Sequence, residues 1–186
     1  MGKLIYCMNT SADGFIETTD RDIGWTTVDD ELHAWFNEQS RGLQATLYGR
    51  RMYEVMAGYW PTAEEDPEAT AVMREFARIW KPMPKVVFSS SLESVDHNAR
   101  RVSGDPGQVL SDLRREFDGD MDVSGANLAS QFARAGLVDE FQVIVHPVVL
   151  GTGTPFWPQL DTPLRLRLLG TRTFASGVVL LSYGRA

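Results

Sequence analysis

The chain has 186 residues, ordinary apolar and charged content (43% and 23%), a net charge of −7 and a pI of about 4.9. That length suits one domain with a sizeable core, and the composition excludes a disordered chain. The acidic balance excludes a general nucleic-acid or membrane-surface binder, both of which need a positive field, but leaves room for a small anion held in a local basic pocket. Cys7 is the only cysteine, so neither an internal disulfide nor a cysteine metal cluster is available. No run of 18 apolar residues occurs, and the N-terminus reads directly into a strand rather than a signal peptide, so a reducing cytoplasm is the expected setting.

In chain order, "KLIYCMN" (3–9) reads as a strand and "VDDELHAWFNEQS" (28–40) as a helix with an acidic first turn. "QATLYG" (44–49) is a strand, followed by a short helix from Arg51 to about Met56. "DPEATAVMREFARIW" (66–80) reads as a helix capped by Asp66 with Pro67 at its first position, burying Val72, Phe76, Ile79 and Trp80. "KVVFS" (85–89) is a buried strand. The Asp-Pro start recurs in "DPGQVLSDLRREF" (105–117). "MDVSG" (121–125) is a strand and "ANLASQFARAG" (126–136) a helix ending at Gly136. "DEFQVIVHPVV" (139–149) is a long strand. "LRLRLLGTRTF" (164–174) and "GVVLLSYG" (177–184) pair as a terminal antiparallel hairpin, so the sheet is mixed. Strands alternating with helices predict an α/β class.

Three strand ends have anion chemistry. At "DVSGANLASQF", Gly125 is followed at once by a helix, so the N–H groups of Ala126, Asn127 and Leu128 face outward with the helix dipole behind them. "YGRRMYE" repeats the layout at Gly49 and adds Arg50 and Arg51, two cations that a helix N-terminus disfavours unless an anion lies between. The competing reading pairs these arginines with Glu54 or other acids. "VVFSSSLE" places Ser89, Ser90 and Ser91 after a buried strand. A dinucleotide carrying an extra phosphate would use all three. The Rossmann fingerprint is absent: "GTGTPF" (151–156) lacks the third glycine and reads as a turn. His33, His97 and His146 have no ligand spacing, so no metal is expected, and His146 reads as a structural residue. In "NTSADGFIETTD" (9–20), Asp13-Gly14 reads as a turn where a substrate also lies. Trp25 and the acidic group Asp29, Asp30, Glu31 open the first helix, as dipole complements or as a carboxylate that protonates a nitrogen heterocycle.

These stretches, with "PVVLGTGTPFW" and the terminal "TFASGVVLLSYG", resemble the dihydrofolate-reductase-like superfamily over essentially the whole chain. Within it they resemble most the C-terminal reductase domain of the bacterial riboflavin-biosynthesis deaminase-reductase and its stand-alone relatives. The resemblance implies a three-layer α/β/α fold with a mostly parallel sheet, a homodimer and a small-molecule substrate. It implies NADPH, with Gly49, Arg50 and Arg51 near its phosphates, Ser89–Ser91 near the 2′-phosphate and Gly125–Leu128 under the pyrophosphate. It places Asp13, Trp25 and Tyr53 on the substrate side, with Asp13 and Asp30 as candidate catalytic carboxylates. Ser124-Gly125 stands where the family often has two glycines, and Met52 where dihydrofolate reductases carry threonine. The activity implied is reduction of a pyrimidine or pterin-like molecule, such as a ribosylamino-pyrimidinedione phosphate. Dihydrofolate reduction and non-catalytic nucleotide binding are the alternatives.

Overall fold

The computed structural model describes residues 2–186. Its elements are β1 (Leu4–Thr10), β2 (Phe15–Glu17), α1 (Asp30–Arg41), β3 (Ala45–Gly49), α2 (Arg50–Tyr59), α3 (Ala71–Trp80), β4 (Lys85–Phe88) and β5 (Ala99–Val102). There follow α4 (Pro106–Glu116), β6 (Met121–Ser124), α5 (Ala126–Arg134), β7 (Glu140–Val145), β8 (Thr154–Pro155), β9 (Leu166–Thr173) and β10 (Val179–Arg185). Eight strands form one sheet in the order β5-β4-β3-β6-β1-β7-β10-β9. Pairing is parallel from β5 through β7, whereas β10 runs antiparallel to both β7 and β9. The terminal hairpin is therefore as the short connection requires. The inner parallel strands β3 and β7 are buried on both faces, as in sheets covered by helices.

On one face α4 and α5 bring Leu110, Leu113, Leu128 and Phe132 against Leu4, Tyr6, Leu47, Val86, Val123 and Phe141. On the other, α1 sets Leu32 against Ile144 and Leu180. There too, Tyr53 of α2 packs on Tyr48 and Val87, and the indole of Trp80 from α3 bonds the Tyr48 hydroxyl. Each fully buried large apolar side chain contributes about 1.5–3 kcal/mol. Lys85 is also buried: its ammonium donates to the carbonyls of Trp80 (2.6 Å), Met83 (2.8 Å) and His97 (2.8 Å), closing the carbonyl end of α3.

Several boundaries differ from the sequence expectation. Helix α3 starts at Ala71 with Thr70 as its cap, not at Asp66-Pro67. Asp66 is spent on a preceding turn, accepting from the Glu68 N–H (3.0 Å) and the Tyr59 hydroxyl (3.1 Å). Its expected inward stripe is only half-buried at Val72, Phe76 and Ile79, whereas Ala77 and Trp80 are buried. Strand β7 stops at Val145, because Pro147 has no N–H to continue a ladder. Three strands were not expected. β5, "ARRV", is a charged edge strand without apolar alternation, and β2 and β8 are short pieces that pair only with each other.

Candidate active site

All the parallel strands end at one edge of the sheet, so the loops after β1, β3, β4, β6 and β7 converge there, where open α/β sheets bind ligands. The pairing Tyr48↔Ser124 puts the start of α2 beside the start of α5. A Cβ on Gly125 would lie 3.2 Å from Met52 Cβ and 4.0 Å from the Gly49 nitrogen, and one on Gly49 would lie 3.6 Å from Leu128 Cβ. Among the described helices, α1, α3 and α4 have side-chain caps from Asp29, Thr70 and Asp105, whereas α2 and α5 begin at glycine with no side-chain acceptor. The first-turn N–H groups of Arg50, Arg51 and Met52 and of Ala126, Asn127 and Leu128 thus form two adjacent donor sets with both dipoles behind them. Gly125 makes the turn with φ +101° and ψ 121°, a conformation that costs any other residue strain. The Ser124–Gly125 bond is trans.

The two arginines differ. Arg50 is exposed and only 3.8 Å from Glu54. Arg51 lays its fork on Glu17 of β2, Nη1 to Oε1 at 2.9 Å and Nη2 to Oε2 at 2.7 Å. Glu17, mostly buried, also accepts from the Thr154 hydroxyl at 2.8 Å, so one carboxylate joins α2, β2 and β8. Burial opposes its ionisation, but the bonds from Arg51 and Thr154 outweigh that and hold its pKa below the ordinary value. After β4, Ser89 turns inward, its hydroxyl accepting from the N–H groups of Ser91 (3.2 Å) and Leu92 (3.0 Å), while Ser90 and Ser91 are exposed.

The Asp13 carboxylate accepts from the N–H groups of Leu150 (3.1 Å) and Gly151 (2.7 Å), pinning the turn after β1 to the loop after β7. The Ser11 hydroxyl first, then these two donors, hold it below the usual carboxylate range. It is a fixed acceptor in this arrangement, not a proton donor. Asp30 lies exposed in the first turn of α1. Trp25 is half-buried, with its indole N–H on the Asp22 carbonyl (3.1 Å). Tyr53 lies on α2. It is buried, and its hydroxyl donates to the Asp96 carbonyl (3.2 Å) and accepts from the Asp96 N–H (2.7 Å), so it fastens the loop after β4. Position 53 of α2 thus packs its ring on Tyr48 and Val87 and gives its hydroxyl to the loop backbone.

Three groups escaped the sequence reading. Glu17 is one. The second is Asp122 in the middle of β6, which accepts from the Ser124 hydroxyl (2.9 Å) through Oδ2 while Oδ1 is sealed without a partner; burial raises its pKa to about 6. The third is Asn9, the partner of His146, which the sequence marked only as structural. His146 is 1% exposed, and its Nε2 lies 2.9 Å from Asn9 Oδ1. Its Nδ1 takes the Thr27 N–H at 3.1 Å, and the ring meets Trp25 edge-on at 5.6 Å. Asn9 opens the stretch "NTSADGFI", but only the β1–β7 register, Asn9↔Ile144, brings it to His146.

A mixed sheet of this order with two glycine-started helices at its carboxyl edge is the dihydrofolate-reductase-like architecture, and solved structures bear this out. A putative riboflavin biosynthesis protein from Shewanella sp. PV-4 superposes with a TM-score of 0.78 at 16% identity, covering 100% of this chain and 99% of that one. A dihydrofolate reductase from Enterococcus faecalis, solved with NADP(H), gives 0.65 at 14% identity, covering 99% and 96%. The family model of the RibD C-terminal domain matches residues 2–180, and the chain belongs to that family. It is also 30% identical over 182 residues to YyaP of Bacillus subtilis (strain 168), itself described as uncharacterized, covering 97% of this chain and 94% of that protein. No helix among the described residues is long and apolar enough to cross a membrane.

Proposed function

We propose that residues 1–186 act as one reductase domain that uses NADPH to reduce a pyrimidine or pterin-like small molecule. The observation that carries this is the pair of uncapped helix starts at Gly49 and Gly125, side by side, with the exposed guanidinium of Arg50 at their rim. Two donor sets a few ångströms apart match two linked phosphates better than one. Ser90 and Ser91 after β4 supply further hydroxyls for the phosphate that distinguishes NADPH from NADH. Bound there, the cofactor supplies the hydride, delivered as two electrons and a proton equivalent to an electrophilic C=N or C=O carbon. The chain orients the partners, excludes water and holds polar groups in place. The second proton comes from solvent or from Asp30, since Asp13 is held ionised by its donors.

The substrate implied by the family is a ribosylamino-pyrimidinedione phosphate, and the setting implied is the cytoplasm. A homodimer is part of the proposal: Leu168 and Leu169 on the edge strand β9 and Val149 after β7 are exposed apolar residues. Trp157 is less available, half-buried with its ring 5.0 Å from Phe141 and 4.8 Å from Phe156. Non-catalytic nucleotide binding is the second reading, favoured by the use of both Asp13 and Arg51 in internal contacts. Dihydrofolate reduction is the third, tested by methotrexate-sensitive turnover.

The deciding experiment is a titration of the protein with NADPH and NADH followed by tryptophan fluorescence. Tighter binding of NADPH is expected. No binding of either at millimolar concentration refutes the proposal, and binding without turnover on any pyrimidine or pterin moves it to the second reading.

A further inference from the structure

The bonds around His146 fix the orientation of Asn9. The Thr27 backbone N–H can only donate, so the Nδ1 it meets at 3.1 Å carries a lone pair. A doubly protonated ring would set two N–H groups against each other there. Burial also lowers the His146 pKa, so the ring is neutral and its proton sits on Nε2. That proton points at Asn9 at 2.9 Å, so Asn9 must turn its oxygen, not its nitrogen, to the histidine. The amide –NH2 is then forced to the opposite side. No protein acceptor among the described residues takes it, and it is not among the sealed polar atoms, so it opens to solvent.

The place is informative. Asn9 is the penultimate residue of β1, the strand between β6 and β7, and lies at the ligand edge of the sheet. Trp25 stands edge-on to His146 and Asp13 pins the neighbouring turn, so the surroundings of Asn9 are held from three segments. A buried histidine that immobilises an asparagine and leaves two oriented N–H donors on an open edge is a device for reading an acceptor. We infer that Asn9 is a substrate-binding residue that selects molecules presenting a carbonyl oxygen or an unprotonated ring nitrogen at this point, and that His146 is its positioning residue. This rests on the reductase proposal for the location of the substrate. It adds which polar group of a pyrimidinedione the protein recognises and why a molecule offering a donor there is rejected: two N–H groups would meet with no lone pair between them.

The test uses the full chain labelled with nitrogen-15. Long-range spectra of His146 should show Nε2 protonated and Nδ1 bare; the reverse tautomer overturns the inference at its first step. Added 5,6-diaminouracil should shift the Asn9 side-chain amide signals in the NADPH-mixed protein. Asn9→Asp keeps the acceptor for His146 but removes both donors, and should weaken 5,6-diaminouracil about tenfold to hundredfold while leaving NADPH affinity unchanged. Asn9→Ser, a milder change, should fall between the two. If NADPH binds and Asn9→Asp holds the uracil as tightly as the wild type does, the inference fails and the reductase proposal stands. If the uracil binds through Asn9 but NADPH does not bind, the reductase proposal fails and Asn9 keeps its role. A wild-type protein that binds no uracil overturns the inference.

Discussion

Gly125→Ala separates the two things the turn after β6 does. The residue sits at φ +101° and ψ 121°, where a side chain costs on the order of 1–3 kcal/mol. Its new Cβ also meets Met52 Cβ at 3.2 Å, tighter than ordinary contact, so α2 and α5 must part by a few tenths of an ångström. That adds about 1 kcal/mol. A total of about 2–4 kcal/mol lowers the Tm of a chain this size by about 4–16 °C. Gly14→Ala is the control: φ is +87°, but nothing lies within 4 Å of the added carbon, so only backbone strain is paid. Both variants should melt earlier than the wild type. Only Gly125→Ala should lose NADPH affinity, by tenfold or more, measured at a temperature well below its own Tm. Wild-type affinity in Gly125→Ala would refute the assignment of the pyrophosphate to the paired helix starts, and an unchanged Tm would refute the strain argument itself.

Arg50→Gln removes an exposed cation with a weak partner, so stability in urea should move by no more than about 0.5 kcal/mol while affinity for NADPH and for NADH falls by a similar factor. Arg51→Gln should instead cost about 1–3 kcal/mol, because it leaves the mostly buried Glu17 without its forked partner. The Glu17 pKa is depressed in the folded protein, so its contribution is present above its ordinary 4.5 and is lost as pH falls through the folded value. Wild type and Arg51→Gln should therefore converge in acid, and a constant gap across pH contradicts this. Asp122 has the opposite sign. Its pKa rises from 3.8 to about 6, so its contribution is present below 3.8 and is lost as pH rises through 6. Asp122→Asn should thus stabilise the protein by up to about 3 kcal/mol at pH 8 and by little at pH 4; urea midpoints at both values decide it.

How far the fold could be read from the sequence is shown by its two Asp-Pro pairs. Asp105 caps α4, accepting from the Gln108 N–H at 2.9 Å, as the local signal requires. Asp66 has the same local signal, but Tyr59 competes for its carboxylate and Thr70 offers a second cap four residues on. The dipeptide is identical in both places and a tertiary partner decides. Inner strands such as β3 and β7 were legible because burial on both faces wrote apolar runs into them, and exposed β9 was legible from its short turn to β10. β5 is an edge strand whose adjacent Arg100 and Arg101 put charge on both faces, and β2 with β8 exist because segments distant in sequence meet, so no window of residues announces them.

The same division runs through the site. "YGRRMYE" marked a helix start with surplus positive charge, and that is where α2 begins. What the stretch could not show is that Arg51 is already answered by Glu17, 34 residues earlier, while Arg50 is left at the rim. Asn9 and His146 are 137 residues apart and acquire meaning only through the β1–β7 register. The strongest legible sign was neither arginine but the glycine at the start of each helix. A serine, threonine or aspartate there would have satisfied the first-turn N–H groups from within, as Asp29, Thr70 and Asp105 do for the other three. Glycine leaves those donors open and lets a partner approach the backbone. When two such starts are brought side by side on neighbouring strands, the chain has withheld its own acceptors twice at one place, and that is the ground for proposing an anionic ligand, rather than an internal carboxylate, as the group that completes it.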